Sequence, residues 1–221
     1  MVDLPAGLFA APWLWAGHLV YLPVFLWALV RAPWWRLREA EGQHLFLGAC
    51  ALTVVLWSIR AGVVPGLNFH LIGASLLTLM FGWEFAVLIL SIALAGITGY
   101  GRAGWETFSL NGVLMILIPV LVSYRIFIIV DRKMPNFFVY VLACGFFGAG
   151  LGIALSGLGT FFLMWASAVY TLDQLSLNYV PYFPLLMVPE GFINGWLTAV
   201  LVGFKPEWMR TFRDERYIDG K

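Results

Sequence analysis

Charged side chains are scarce in this chain: they make up 11% of its 221 residues, and the formal net charge is only +1. Soluble domains carry about 25% charged residues, so this composition cannot build a water-facing surface of ordinary polarity. The near-neutral charge also excludes the strongly basic surface that nucleic-acid partners require. We therefore predict a protein with no nucleic-acid partner and with the lipid bilayer as its main surroundings.

Cysteine is equally rare, because Cys50 and Cys144 are the only two and each lies within an apolar run. Two residues so placed give neither a disulfide framework nor a Cys-rich zinc pattern, and we interpret both as small buried hydrophobes. The first ten residues contain no basic residue and include Asp3. They therefore lack the basic start of a cleavable signal peptide, and we expect the amino terminus to be retained.

Apolar residues are what the chain has in abundance, at 62% of the sequence with a mean hydropathy of +0.88. A bilayer core about 30 Å thick takes roughly 20 helical residues to cross. That length predicts seven crossings: Ala11–Val30, Leu45–Val64, His70–Phe81, Trp83–Tyr100, Phe108–Val130, a segment from Phe137, and Pro184–Phe204. The predicted fold class is all-α, a polytopic membrane helical bundle in which residues 1–221 form a single integral membrane domain.

The sixth segment is ambiguous, because the apolar stretch from Phe137 to Tyr170 is too long for one straight crossing. One crossing followed by a re-entrant piece, or two crossings, would both fit. Arg and Lys concentrate in cytoplasmic segments, and seven crossings place all three basic clusters on one side. These clusters are Arg31, Arg36 and Arg38; Arg125, Arg132 and Lys133; and Lys205, Arg210, Arg213, Arg216 and Lys221. We therefore predict seven crossings in the cell inner membrane, with an extracytoplasmic amino terminus and a cytoplasmic carboxyl terminus.

Polar residues inside spanning segments are costly and by default mark functional sites. The predicted topology places several in the outer half: Asp3, His18, Arg60, Asn68, His70, Asn111 and Glu190. His70 is predicted to open the third helix, where a neutral imidazole suits a transition-metal ligand, although a capping or interfacial role is an alternative. His18 is interpreted as a packed histidine.

Glu190 follows Pro189 at the predicted entry to the last helix, with Asn194 four residues on and therefore on the same helix face. A carboxylate near a helix amino terminus is stabilised by the helix dipole, so a purely structural role competes with a site role. Asn111, near the start of the fifth helix, is predicted to satisfy a neighbouring backbone group or to support a ligand.

Four segments of the chain resemble a known family. The opening Asp3-Leu4-Pro5-Ala6-Gly7-Leu8-Phe9 resembles the family opening His-Ile-Pro-Asp-Gly-Phe-Leu, and the block from Asn68 to Leu77 contains a His before Leu-x-Gly, as the family's second block does. Leu110-Asn111-Gly112 and Pro189-Glu190-Gly191 are similar in kind and order. The family is the CbiM/NikM type, the membrane-embedded substrate-binding component of energy-coupling-factor (ECF) ABC transporters for cobalt and nickel.

The resemblance implies a seven-helix protein in which the amino-terminal amine, a second-position His and a later His bind a divalent metal. His70 matches the later His, and Met1 would supply the amine. The chain begins Met1-Val2-Asp3, so an acid one place further in stands where the family has its second-position His. The predicted metal ligands are therefore Met1, Asp3 and His70, with Asn68, Asn111 and Glu190 behind them. A carboxylate ligand favours harder or less discriminating coordination.

The function implied by the resemblance is capture of a divalent transition-metal ion, which is then passed to a membrane coupling subunit and ATP-binding subunits. The metal would be the transported solute, and no intrinsic cofactor is expected. The chain has no Gly-x-x-x-x-Gly-Lys-[Ser/Thr] phosphate loop, which agrees with ATPases on separate subunits. It also lacks His-Glu-x-x-His and Gly-x-Ser-x-Gly, so we do not expect an intramembrane enzyme. The alternative is a non-transporting membrane scaffold or assembly subunit that keeps the family fold without the metal site.

Overall fold

The computed structural model describes residues 3–59, 61–64 and 67–219, and the side chains of residues 61–64 and 68 lie outside this description. The described chain is a bundle of apolar helices with one short antiparallel hairpin. The helices are α1 Ala11–Arg31, α2 Ala40–Ser58, α3 Ala74–Phe81, α4 Trp83–Gly99, α5 Phe108–Lys133, α6 Phe137–Ala166, α7 Leu172–Asn178, α8 Phe183–Phe204 and α9 Asp214–Tyr217. The strands are β1 Ala61–Val64 and β2 Leu67–Phe69.

The surface of the bundle is apolar, as a lipid environment requires. Leu19 and Val30 on α1 are 73% and 80% exposed, which would be unfavourable in water. In the described part of the chain, five segments are long and apolar enough to cross a membrane: Ala11–Arg31, Ala40–Ser58, Phe108–Lys133, Phe137–Ala166 and Leu172–Phe204. The shorter α4 is also apolar. The predicted helical membrane fold is therefore confirmed in class, while the number of crossings and the orientation stay predictions.

The glycine-rich segment that the sequence left open is one continuous helix, α6. Its glycines lie where neighbouring helices approach closely: a Cβ on Gly152 would be 3.3 Å from the Pro119 Cα, and one on Gly145 would be 3.0 Å from the Gly195 Cα. Small residues at such positions let helix backbones pack in lipid. The glycines of α6 therefore serve packing against α5 and α8.

The second predicted helix, Leu45–Val64, starts too late and runs too far, because α2 spans Ala40–Ser58 and residues Ala61–Val64 form strand β1 instead. The reason lies in the local sequence, in which Gly62 weakens a helix and the β-branched Val63 and Val64 favour a strand. A following proline, Pro65, further disfavours a helical conformation at Val64. The hairpin pairs Ala61 with Phe69 and leads the chain back into the bundle.

The third predicted helix starts too early. Residues 70–73 are not helical, and α3 begins only at Ala74, because Gly73 has a φ of +74° that a right-handed helix cannot contain. His70 therefore lies on irregular chain between β2 and the helix and not on the first turn of the helix. With eight residues, α3 spans about 12 Å, less than half of a bilayer core.

The two ends of the bundle have different contents. At one end, the site end, the Gly104 N–H donates to the Leu4 carbonyl at 3.1 Å. At the other, the tail end, Trp208 donates to Glu41 at 2.8 Å and Arg216 pairs with Asp131. Helix α3 begins in the interior of the bundle and ends at the tail end. The non-helical residues 70–73 that precede it lie on the side of the site end. Non-helical backbone at such depth is typical of binding sites lined by protein.

Candidate metal centre

The opening segment enters the bundle at the site end and is fixed there by α5. Asn111 accepts the Leu4 N–H with Oδ1 at 2.9 Å and donates from Nδ2 to the Leu4 carbonyl at 3.3 Å. The Thr107 hydroxyl donates to the same carbonyl at 2.6 Å. These bonds satisfy buried main-chain groups that would otherwise carry a desolvation penalty. The neighbouring Asp3 is consequently held inside the protein with only 2% of its surface exposed.

His70 is buried beside Trp57, with the two ring centroids 5.3 Å apart. The His70 Nδ1 lies 3.0 Å from the Leu71 carbonyl oxygen, and because a carbonyl can only accept, Nδ1 carries the proton of this hydrogen bond. In the neutral imidazole the lone pair is then on Nε2. An N–H to a backbone carbonyl is also the usual way in which metal-binding histidines are oriented.

The Asp3 carboxylate and the His70 imidazole face each other in the interior of the bundle. The Asp3 Oδ1 lies 3.6 Å from the His70 Nε2, and neither side chain is exposed to solvent. This distance is too long for a direct hydrogen bond. It suits one ion bound to both atoms, since metal bonds to imidazole nitrogen and carboxylate oxygen are about 2.0 to 2.2 Å long.

Glu190 and Asn194 fix the chain that follows His70. The Glu190 carboxylate accepts the Ile72 N–H at 2.8 Å and the Gly73 N–H at 2.7 Å, one on each oxygen. Asn194 accepts the Leu76 N–H at 2.9 Å and donates to Glu190 at 3.1 Å. The first N–H groups of a helix have no partner within it, and here α8 supplies the acceptors for α3.

The predicted position of Glu190 needs correction. It lies inside α8, which begins at Phe183, and the helix amino terminus that it stabilises is that of α3. Its two oxygens are used by main-chain N–H groups, so it positions the segment after His70 and is not placed as a ligand. The predicted shared face of Glu190 and Asn194 agrees with their hydrogen bond.

The other predicted site residues have separate places. Asn111 holds Leu4, as described above, while His18 lies 2.7 Å from the Ser109 hydroxyl and is packed between helices. Met1 and the Asn68 side chain lie outside the described residues. Among the described residues there is no group of three or more His, Cys, Asp and Glu side chains that could hold a metal. Of the predicted ligands, the described residues that come together are therefore Asp3 and His70.

Three residues that support the opening segment were missed by the sequence analysis. Thr107 is one helical turn before Asn111, so a search for polar i, i+4 neighbours would have found it. Glu106 accepts the Gly7 N–H at 2.5 Å. Gly104 leaves room for the segment, because a Cβ there would be 2.6 Å from the Ala6 nitrogen. No local pattern identifies Glu106 or Gly104, since their partners lie about a hundred residues away.

Comparison with known proteins shows that the chain is similar to metal-transport components. A family model described as "Cobalt uptake substrate-specific transmembrane region", CbiM, matches residues 3–208. The chain is similar to the cobalt transport protein CbiM of Anoxybacillus flavithermus, with 24% identity over 209 residues that cover 87% of this chain and 78% of the relative.

Two solved structures share the fold. The crystal structure of a truncated transition metal transporter has a TM-score of 0.73 at 18% identity and covers 94% of this chain and 100% of that chain. The crystal structure of a transition metal transporter has a TM-score of 0.71, also at 18% identity, with 93% and 92% covered. The family match over nearly the whole sequence confirms the resemblance drawn from the four short segments. The chain belongs to the CbiM family of cobalt-uptake transmembrane components.

Proposed function

We propose that this protein captures a divalent transition-metal ion between Asp3 and His70 as the substrate-binding membrane component of an ECF-type transporter. The observation that carries the proposal is the 3.6 Å distance between the Asp3 Oδ1 and the His70 Nε2 in a site closed to solvent. A carboxylate and an imidazole whose lone pair faces it form a donor pair suited to first-row divalent ions. The ion is the transported substrate, and cobalt is the metal that the family description favours.

The amino-terminal amine of Met1 is proposed as a third ligand by resemblance to the family. Asp3 and Leu4 already lie inside the bundle, where Asn111 and Thr107 hold the Leu4 main chain. Two residues of chain separate this anchored point from the amine, which brings the amine within reach of the same site, since consecutive Cα atoms are about 3.8 Å apart. An amine ligand must lose its proton to bind, so metal capture releases protons.

The proposed orientation puts the metal site on the extracytoplasmic side. Arg36 lies beside Arg210 at the tail end, and Arg132 and Lys133 end α5 there, next to Asp131 and its partner Arg216. Basic residues concentrate on the cytoplasmic side of membrane proteins, which supports a cytoplasmic tail end. A coupling subunit and ATPases would then receive the ion from this chain, which carries no phosphate loop of its own.

Metal binding by the purified protein tests the proposal. Titration with Co²⁺, Ni²⁺, Zn²⁺ and Mn²⁺ is expected to give one bound ion per chain, with affinity reduced at least 10-fold in Asp3→Ala and in His70→Ala, since even an indirect partner of a metal site contributes about that much. His18→Ala is the matched control, because His18 is packed against Ser109 and its loss is expected to leave affinity unchanged. If neither Asp3→Ala nor His70→Ala changed the binding of any of the four ions, the non-transporting scaffold would replace this proposal.

Association with partner subunits tests the second half of the proposal. The tagged protein, expressed in its native membrane and extracted in mild detergent, is expected to copurify with a membrane subunit and with ATP-binding subunits. Metal binding without such copurification would support a capture protein that works outside an ECF complex. The two measurements therefore separate loss of the metal site from loss of the transporter.

A further inference from the structure

The chain after α8 returns to the carboxyl end of α3. The Arg210 N–H donates to the Met80 carbonyl at 3.0 Å, and Thr211 donates to the Leu79 carbonyl from its N–H at 3.3 Å and from its hydroxyl at 2.7 Å. The Arg210 guanidinium also donates to the Phe81 carbonyl at 3.0 Å. The last carbonyls of a helix have no partner within it, so the tail provides the donors that complete α3.

Arg210 also bridges α3 to the following helix. Its guanidinium lies 3.0 Å from the Glu84 carboxylate at the start of α4. The bend between the helices is Gly82, with a φ of +83°, and a Cβ there would be 2.3 Å from the Arg210 Nη1. A positive charge at the carboxyl end of α3 and a negative charge at the amino end of α4 are both favourable to the helix dipoles. Arg210 therefore fills the space left by Gly82 and ties both helix ends together.

Helix α3 is thus held at both ends by one continuous piece of chain. Glu190 and Asn194 of α8 hold its amino end, and Arg210 and Thr211 of the tail hold its carboxyl end. The two anchors are separated by only about 12 Å of helix. A helix transmits an axial shift along its length, so movement at the carboxyl end would reach the segment that carries His70.

We propose that Arg210 and Thr211 are positioning residues for the metal site, which fix the axial position of α3 and thereby hold His70 against Asp3. This inference rests on the proposed function. It also connects the two ends of the bundle: Arg210 borders a cavity of about 420 Å³ at the tail end that Glu84 and Arg213 also line.

A positioning role of Arg210 and Thr211 differs from a purely stabilising role in what happens at the other end of α3. Loss of a purely stabilising contact would lower the melting temperature without changing the geometry at His70. Positioning instead predicts that release of the carboxyl end of α3 loosens its amino end, where the Ile72, Gly73 and Leu76 N–H groups are bonded to α8. Hydrogen exchange of these amides reports that loosening directly, and it does so without metal.

The test uses the full chain in detergent or nanodiscs with Arg210→Met and Thr211→Val. Lys205→Met is the matched control, because it also removes a tail cation, but one that pairs with Glu207 and lies over the Trp208 ring instead of contacting α3. We expect about a 10-fold loss of Co²⁺ affinity in both variants and faster exchange over residues 72–76, with neither change in Lys205→Met. Arg210→Lys keeps the charge and one donor group, so it should recover part of the affinity, and it carries the test if Arg210→Met does not fold.

Unchanged exchange over residues 72–76 in Arg210→Met and Thr211→Val would overturn the positioning role, even if both proteins melted earlier. Unchanged Co²⁺ affinity beside faster exchange would also overturn it, because α3 would then move without disturbing the site. If the wild-type protein bound none of Co²⁺, Ni²⁺, Zn²⁺ and Mn²⁺, the proposed function would fail, and the exchange data alone would decide whether the tail holds α3. The two failures are therefore distinguishable.

Discussion

Asn111 bonds the Leu4 main chain in both directions: its Oδ1 accepts the Leu4 N–H at 2.9 Å, and its Nδ2 donates to the Leu4 carbonyl at 3.3 Å. An amide side chain carries an acceptor oxygen and a donor NH₂ group side by side, so it can bond both main-chain groups of one residue. The bond joins residues 107 positions apart, so α5 determines where the opening segment lies. Because Asp3 is the next residue toward the amino terminus, its position in the site depends on Asn111.

Replacing Asn111 by Leu, which is similar in size, is expected to free the opening segment. The buried Leu4 N–H would lose its acceptor, which costs about 1 to 3 kcal/mol. The opening segment would therefore move out of the site, where water can accept this hydrogen bond. We expect a lower melting temperature and about a 10-fold loss of Co²⁺ affinity, measured by thermal unfolding and by titration.

Asn136→Ala serves as the control for this variant. Asn136 caps the first turn of α6 by accepting the Phe138 N–H at 2.9 Å, and a lost cap costs about 1 kcal/mol. It should therefore lower stability without changing Co²⁺ affinity. An equal loss of affinity in Asn136→Ala would show that general destabilisation, and not release of Asp3, explains the result.

A methyl group at Gly104 is expected to push the opening segment out of place. A Cβ there would be 2.6 Å from the Ala6 nitrogen and 2.9 Å from the Ala6 Cα, and main-chain atoms cannot move aside as a side chain can. Gly104→Ala should reduce Co²⁺ affinity, whereas Gly99→Ala, whose Cβ meets nothing within 4 Å, should not. The two variants add the same methyl group five residues apart. Equal affinities would therefore contradict the close approach of the opening segment to Gly104.

The helix positions followed from the sequence where the length of an apolar run and the proline or glycine at its ends determine them. Helix α1 runs over Ala11–Arg31 and α8 over Phe183–Phe204, both within one residue of the predicted crossings. Gly82 separates α3 from α4, as predicted. In these segments the apolar run, its proline start or its glycine break acts locally, which is why a single sequence suffices.

The start of α3 was not predictable from local sequence. Gly73 has a left-handed φ of +74°, and the chain there is held by Glu190, which accepts the Ile72 and Gly73 N–H groups from 118 and 117 positions away. Nothing near His70 encodes that partner. The proximity of Asp3 and His70 was likewise expected only from the family resemblance, since no spacing rule joins the first residues to a loop after the second helix.

The contacts of the tail after α8 were also not predictable from local sequence. The basic residues after α8 were predicted to lie on the cytoplasmic side, and their charge says nothing about which helix they contact. The Arg210 guanidinium reaches Phe81 and Glu84, which are 129 and 126 positions away. The cytoplasmic placement of the tail stays a prediction from the basic residues, whereas its contacts with α3 required the structure.

Glu190→Gln is expected to disturb the segment after His70 while keeping the size of the side chain. A glutamine has one acceptor oxygen, and its NH₂ group would face the second main-chain N–H, so either Ile72 or Gly73 would lose its acceptor. We expect a cost of about 1 to 3 kcal/mol in stability and reduced Co²⁺ affinity, measured by thermal unfolding and titration. Glu207→Gln is the control, because the Glu207 side chain is 55% exposed and pairs with Lys205 at the surface. A wild-type affinity in Glu190→Gln would mean that the site does not depend on this support.

Asp3→His is expected to change which ion the site prefers. Carboxylate oxygen suits Mn²⁺ and other hard ions, whereas imidazole suits Ni²⁺, Cu²⁺ and Zn²⁺, so a second imidazole beside His70 should raise the preference for Ni²⁺ over Mn²⁺ by about 10-fold, or about 1.4 kcal/mol. Competitive titration of the two ions measures that ratio, which is insensitive to partial loss of folded protein.

Asp3→Asn completes this test, because it keeps the size of Asp3 and removes the charge. It should weaken the binding of both ions together, since a neutral amide oxygen is a poorer ligand than a carboxylate for either. A ratio that rose in Asp3→His and stayed constant in Asp3→Asn would follow from direct coordination by the residue at position 3. An unchanged ratio in Asp3→His would instead place the ion elsewhere, since a residue that does not touch the ion cannot alter its preference through ligand chemistry.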